Sequence, residues 1–129
     1  MNTNVAFGKK GEDMASAFLK KCGYQILRRN YRSGNNEIDL ITKKDNIVAF
    51  VEVKTRHNLN YGHPAEAVTL SKQKELIKAA QNFINDNPSQ GVDYRFDVVA
   101  IILDESKRNA FNEPCEDIFF IEDAFRTLP

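Results

Sequence analysis

The sequence predicts an α/β fold in the order α-β-β-β-α-β-β, a mixed central sheet with helices packed on it. Three observations carry that expectation. Two stretches have the 3.6-residue apolar period of amphipathic helices. Runs of β-branched and aromatic residues, each bounded by turn residues, follow both helices. The second helix also separates two strongly apolar strands, and such a crossover makes them parallel and right-handed.

The first helix runs from about Phe7 to Cys22, with Gly11, Met14, Ala15, Phe18, Leu19 and Cys22 on one face and Gly23 as its C-terminal stop. Gln25-Ile26-Leu27 and the basic Arg28 to Arg32 suit a first strand at a sheet edge, ended by the turn residues Ser33 to Asn36. Glu37 to Thr42 forms the second strand. Lys43-Lys44-Asp45-Asn46 turns it into the third, Ile47 to Thr55, as an antiparallel hairpin. His57 to Pro64 reads as an irregular loop. A second helix, capped at Ser71, carries Leu76, Ile77, Ala80, Phe83 and Ile84 on one face and ends near Asn85 to Pro88. Arg95 to Leu103 is the fourth strand, and a short fifth lies at Asp117 to Ile121.

A chain of 129 residues is long enough for one core, so residues 1–129 form a single domain. No apolar run approaches the roughly 20 residues that span a bilayer, and Met1 to Ala6 lacks the blocks of a signal peptide. The isolated Cys22 and Cys115 fit reduced thiols in a cytoplasmic protein, neither a disulfide framework nor a zinc site. A net charge of zero conceals an asymmetry. Residues 1–80 hold fourteen Lys/Arg and eight Asp/Glu, whereas residues 81–129 hold four and ten. Local potential steers association, so a basic surface facing a polyanion is compatible with this balance, as are solvated helix and turn residues.

The chemistry concentrates in Glu37-Ile38-Asp39-Leu40-Ile41 and Phe50-Val51-Glu52-Val53-Lys54. Alternation puts Ile47, Ala49, Val51 and Val53 on one face of the third strand, and Val48, Phe50, Glu52 and Lys54 on the other. On the second strand Glu37, Asp39 and Ile41 share a face. A tight hairpin brings Glu37 and Asp39 beside Glu52 and Lys54. A buried carboxylate costs several kcal/mol, roughly, unless something compensates it. A metal, a hydrogen bond or a counter-charge can compensate it, and an ordinary solvent-facing hairpin is the alternative; hard cations such as Mg²⁺ take one or two carboxylates, with water and phosphate completing the shell. Asp39 and Glu52 meet that need, with the Val53 carbonyl beside them. Lys54 is suited to orient water or neutralise a phosphoryl group. Glu12 borders the core-facing stripe of the first helix. It can reach the sheet as a further acid or serve the helix dipole alone. Glu37 is a supporting acid behind this set. His57 and His63 lack metal spacing and read as solvated loop residues.

Asp39, twelve intervening residues, then Glu52-Val53-Lys54 resembles the D…(D/E)xK signature of the restriction-endonuclease-like superfamily. The helical Glu12 resembles its Holliday-junction-resolvase and RecB-like branch. Most of the chain is similar to the uncharacterised bacterial YraN-like family. The resemblance rests on Gly11-Glu12-Asp13-x-Ala15, on Gly23-Tyr24 through Arg29-Asn30-Tyr31-Arg32, and on Glu37 to Ile41. It continues through Phe50 to Arg56, Pro64 to Val68 and Arg95 to Val99, spanning roughly residues 7–103. Asn36 stands where that family generally has Gly, and Ile38 where the wider superfamily often has Pro. The acids are unaffected by either departure.

The resemblance implies a restriction-endonuclease-like three-layer core. It implies Asp39 and Glu52 as metal ligands, with Glu12 a further ligand, and Lys54 as the catalytic lysine. The expected function is a Mg²⁺- or Mn²⁺-dependent nuclease acting on DNA, with branched or recombination intermediates among the candidate substrates. Arg56, Lys72, Gln73 and Arg32 are candidate nucleic-acid contacts. For Lys72 and Gln73 a plain place in a helix's first turn is the alternative. Asp97, near the start of an apolar strand, fits a structural hydrogen-bonding role. A homodimer suits a two-stranded or junction substrate. Two other functions stay open: a catalytically silent nucleic-acid-binding module, or a protein-interaction module on a nuclease scaffold.

Overall fold

The computed structural model describes residues 3–58, 60, 62 and 68–126. Its elements are α1 (Thr3–Lys21), β1 (Gln25–Ser33), β2 (Asn36–Lys44), β3 (Ile47–Arg56), α2 (Leu70–Asp86), β4 (Asp93–Arg108) and β5 (Pro114–Phe125). This is the α-β-β-β-α-β-β order read from the sequence. The strands form one sheet in the order β1-β2-β3-β4-β5. β3 and β4 are parallel, as the crossover through α2 requires, and the other neighbours are antiparallel. No helix among the described residues is long and apolar enough to cross a membrane.

One helix covers each face of the sheet, giving three layers. Ala15 and Leu19 of α1 pack with Leu40, Ala49, Val51, Val99 and Ile101. On the other face Leu76, Ala80 and Phe83 of α2 pack with Ile38, Ile41, Val48, Phe50 and Val98. The alternation predicted for β3 is therefore observed: Ala49 and Val51 face α1, while Val48 and Phe50 face α2. Phe50 is 2% exposed and meets the Phe83 ring edge-on at 6.0 Å. Burying such a side chain stabilises the fold by about 1.5–3 kcal/mol.

The turns follow from local chemistry. Gly23 takes φ 94 after α1. Its N–H donates to the Lys20 carbonyl at 3.0 Å and the Tyr24 N–H donates to that of Leu19 at 2.9 Å, satisfying the last turn. Asp45, with φ 54, makes the tight turn between β2 and β3.

Several boundaries differ from the sequence reading. α1 begins at Thr3. The cap of α2 is Thr69, not Ser71: the Thr69 hydroxyl accepts the Lys72 N–H at 3.1 Å, and Ser71 lies inside the first turn. β4 and β5 extend well past the short strands expected, with Asp104 opposite Cys115 and Arg108 opposite Pro114. Residues 105–108 are exposed and the pairing is irregular between Asp104 and Arg108; local side-chain bonds, Ser106 N–H to Asp104 and Arg108 to the Asn112 carbonyl, accompany this extension, and no apolar pattern announces it. Cys22 is a free thiol. The Cys115 side chain, His63 and residues 64–67 of the Pro64–Val68 segment lie outside the described residues.

Candidate metal centre

The β2–β3 ladder runs from Lys44 opposite Ile47 to Leu40 opposite Val51 and stops there. At the next position a side chain takes over: Asp39 Oδ2 accepts the Val53 backbone N–H at 2.8 Å. Strict alternation on β2 also fails at this point. Ile38 and Ile41 both pack on the α2 side, whereas Leu40 between them packs on the α1 side. The single face expected for Glu37, Asp39 and Ile41 is thus corrected: Ile38 and Ile41 share one core while Leu40 joins the other, and the Asp39 carboxylate meets the Val53 N–H.

Glu52 continues the Val48–Phe50 row of β3 and is 5% exposed. Its Oε2 is buried without a hydrogen-bond partner. Lys72 of α2 supplies charge from 3.7 Å, too far for a hydrogen bond. Asp39 and Glu52 border the same cavity. Burial first, then the hydrogen bond and charge of Glu52, push the Asp39 carboxyl up to about 8, against the opposing pull of the Val53 N–H. Two crowded carboxylates and an orphaned oxygen leave the site short of positive charge.

Glu12 reaches the same place from α1. Gly11 lets the helix approach: a Cβ there would lie 1.9 Å from Thr55 Oγ1. Burial, with Asp39 adding to it, pushes the Glu12 carboxyl above the usual range, while a hydrogen bond from Asn30 pulls it down. Asn30 Nδ2 donates to both Glu12 Oε1 and Glu37 Oε1 at 2.9 Å. Together Glu12, Asp39, Glu52, Val53, Lys54 and Arg56 border a cavity of about 440 Å³, with Phe7 and His57 at its wall.

The remaining candidates fall in different places. Arg32 pairs with Glu37 at 3.5 Å. Gln73 Nε2 donates to the Val68 carbonyl at 3.1 Å, a local helix-start contact. Lys72 faces Glu52, so its first task is to balance that acid. His57 is exposed but not simply solvated, since its ring stacks on Phe7 with centroids 4.1 Å apart. Asp97 is fully buried, accepting from Arg95 at 2.8 and 2.7 Å and from the Asp123 N–H at 2.9 Å. It is the structural acid the sequence suggested. Asn30 was missed, although an Asn inside a strand is a weak sequence signal in itself.

A larger cavity, about 510 Å³, lies between α2 and the β4–β5 strands. Its walls are mainly aromatic and aliphatic, and its charged residues are already paired: Arg95 with Asp97 and Arg126 with Asp123. The acids Glu12, Asp39 and Glu52 and the cations Lys54 and Arg56 all border the smaller cavity. Among the described residues no three Asp, Glu, His or Cys side chains form a ready-made metal cage. Mg²⁺ does not need one, because it keeps several waters and takes one or two carboxylates. Asp39, Glu52 with its orphaned oxygen, and the Val53 carbonyl fit such an ion.

Fold and site define a three-layer α/β domain with an acidic, lysine-bearing cleft at the end of its central strands. The chain belongs to the uncharacterised protein family UPF0102, whose family model matches residues 11–101. It is 48% identical to a UPF0102 protein of Prosthecochloris aestuarii, over 92% of this chain and 91% of that one. A UPF0102 protein of Chlorobium phaeobacteroides is 44% identical over 92% of each chain. One from Rhodococcus jostii is 42% identical over 97% of this chain and all of its own.

Proposed function

We propose that the protein is a Mg²⁺- or Mn²⁺-dependent nuclease that hydrolyses phosphodiester bonds of DNA on a restriction-endonuclease-like core. One observation carries the reading: the half-buried Asp39 and the buried Glu52, whose Oε2 has no hydrogen-bond donor, border one cleft with Lys54 and Arg56. A divalent ion bound there would supply Lewis-acid polarisation of the phosphate and a lowered pKa for the attacking water. The chain's own residues do the rest. Asp39, fixed by the Val53 N–H, and Glu52 hold the ion. Lys54 stands two residues beyond Glu52, where its ammonium can orient the water and offset charge growing on the phosphate. Arg56 extends positive charge along the cleft for the adjacent phosphates. Branched and recombination intermediates are the substrates to test first, with a homodimer as the matching assembly.

The test is a titration with Mn²⁺, followed by incubation with duplex, single-stranded and branched DNA and with RNA in the same buffer. Divalent-dependent cleavage that disappears in Asp39→Asn, Glu52→Gln and Lys54→Ala supports the reading. No cleavage of any substrate by folded, metal-bound protein counts against it. A silent binding module is the second reading, favoured by Lys72, a built-in cation 3.7 Å from Glu52. That protein would bind nucleic acid with a steep salt dependence and without divalent ions. If it binds no nucleic acid at low salt but retains a stable protein partner, the scaffold is an interaction module.

A further inference from the structure

Asn30 sits within β1 with a left-handed backbone, φ 52. Asn adopts that conformation more readily than most side chains that carry a Cβ. The register sets Arg29 opposite Leu40 and Tyr31 opposite Ile38, so Asn30 lies across from Asp39. Its single amide nitrogen donates at 2.9 Å to Glu12 on α1 and at 2.9 Å to Glu37 on β2. One NH₂ group, with two hydrogens to give, ties two carboxylates together from elements on either side of it. The neighbouring arginines are used elsewhere: Arg29 reaches Asp13 at 2.6 Å, and Arg32 meets the other oxygen of Glu37. A neutral donor suits this position. Lys or Arg would install a permanent cation in competition with a metal, and Asp would add another negative charge without a proton to donate.

We propose that Asn30 is the positioning residue of the metal centre: its carboxamide holds Glu12 and Glu37 beside Asp39, which fixes Glu12 as the acid that hydrogen-bonds the ion's water shell. The inference rests on the metal-dependent reading above and deepens it. Asn30 acts through Glu12 and does not itself touch the ion.

The experiment uses the full chain and Mn²⁺ alone, read by calorimetry and by the Mn²⁺ electron paramagnetic resonance signal. Asn30→Gly keeps the left-handed backbone without strain and removes the amide. Asn30→Asp keeps the shape and backbone preference and removes the donor. Both should bind Mn²⁺ roughly 10- to 100-fold more weakly, the usual loss when a group supporting a metal ligand is removed. In a Glu12→Gln background, Asn30→Gly should weaken binding by no more than about twofold further, because coupled residues are not additive. Far-UV circular dichroism verifies that each variant is folded, and either variant alone suffices if the other is not. Native affinity in a folded variant overturns the proposal, as does tighter binding by Asn30→Asp or an undiminished loss in the Glu12→Gln background. If the native protein binds no Mn²⁺, the metal reading fails first and this role falls with it. Native binding with unchanged variants overturns the positioning role alone.

Discussion

Asp39 and Val53 are joined at the place where the β2–β3 ladder ends: the carboxylate accepts the Val53 N–H at 2.8 Å. The bond does two things. It satisfies a backbone donor beyond the last ladder pair, and it holds one oxygen of Asp39 so that the group meets Glu52 in a fixed orientation. A neutral hydrogen bond of this type contributes about 0.5–1.5 kcal/mol, and more once the acid ionises, so Asp39 is anchored even though its surroundings disfavour its charge.

Neutral isosteres should therefore stabilise the metal-free protein while disabling the site. Asp39→Asn keeps an acceptor for Val53, and Glu52→Gln keeps the volume and removes the crowding of acids. Each should raise metal-free stability at pH 8 by on the order of 1–3 kcal/mol, seen as a higher Tm in chelator. Each should also abolish the further Tm increase that Mn²⁺ gives the native chain. Lower stability in both variants would contradict the strained-pair account.

The pH dependence has a definite sign. Asp39 releases its proton at about 8 in the folded protein, against an ordinary 3.8. Between those values the folded state holds a proton the unfolded state has lost, so stability falls as pH rises. The slope approaches about 1.4 kcal/mol per pH unit for one such group. Below 3.8 and above 8 this contribution is flat. The raised Glu12 carboxyl acts in the same direction. Urea denaturation in chelator from pH 5 to 8 should show the decline, and Asp39→Asn should flatten most of it. Stability rising across that range in the native protein would refute the assignment.

Lys72 lies 3.7 Å from Glu52, so on the metal-binding proposal it would compete with the ion for that acid. Lys72→Met should lower metal-free stability by up to about 1 kcal/mol, as for a partly exposed ion pair, yet tighten Mn²⁺ binding severalfold. If Lys72 instead contacts phosphate, Mn²⁺ affinity stays constant and the salt slope of DNA binding decreases by about one.

Gly11 sets how close α1 lies to β3. The Cβ of Gly11→Ala would overlap Thr55 Oγ1 at 1.9 Å, and overpacking of this kind costs about 1–3 kcal/mol. Adding Thr55→Ala should recover part of the loss, because the Oγ1 contact is removed and the Thr55 Cβ at 3.0 Å remains. Chemical denaturation of the single and double variants measures both effects.

Asp97 provides the contrast of a buried acid with a complete set of partners. Arg95 clamps it and also reaches the Tyr24 hydroxyl at 2.6 Å. Asp97→Asn should cost about 3 kcal/mol, because it removes the charge 2.7 Å from the half-buried Arg95 and leaves it the more distant Glu122 at 3.7 Å. Mn²⁺ affinity of the folded fraction should not change. A selective loss of metal binding would move Asp97 into the site.

The local pattern of the chain already determined the element order, the parallel β3–β4 pair, the two faces of β3, and the grouping of Asp39, Glu52 and Lys54. Strand parity and hairpin geometry operate over a few residues, so these features are legible one segment at a time. Tertiary structure decided the rest. Asn30 bridges Glu12 and Glu37, eighteen and seven residues away; Lys72 meets Glu52 from another layer; and Gly11 admits α1 to the end of β3. Such contacts depend on how helices and strands dock across the sheet, which no local period encodes. The break in alternation at Asp39 belongs with them. The apolar pattern specifies strict alternation there, whereas the folded chain shares Ile38 and Ile41 with one core and Leu40 with the other.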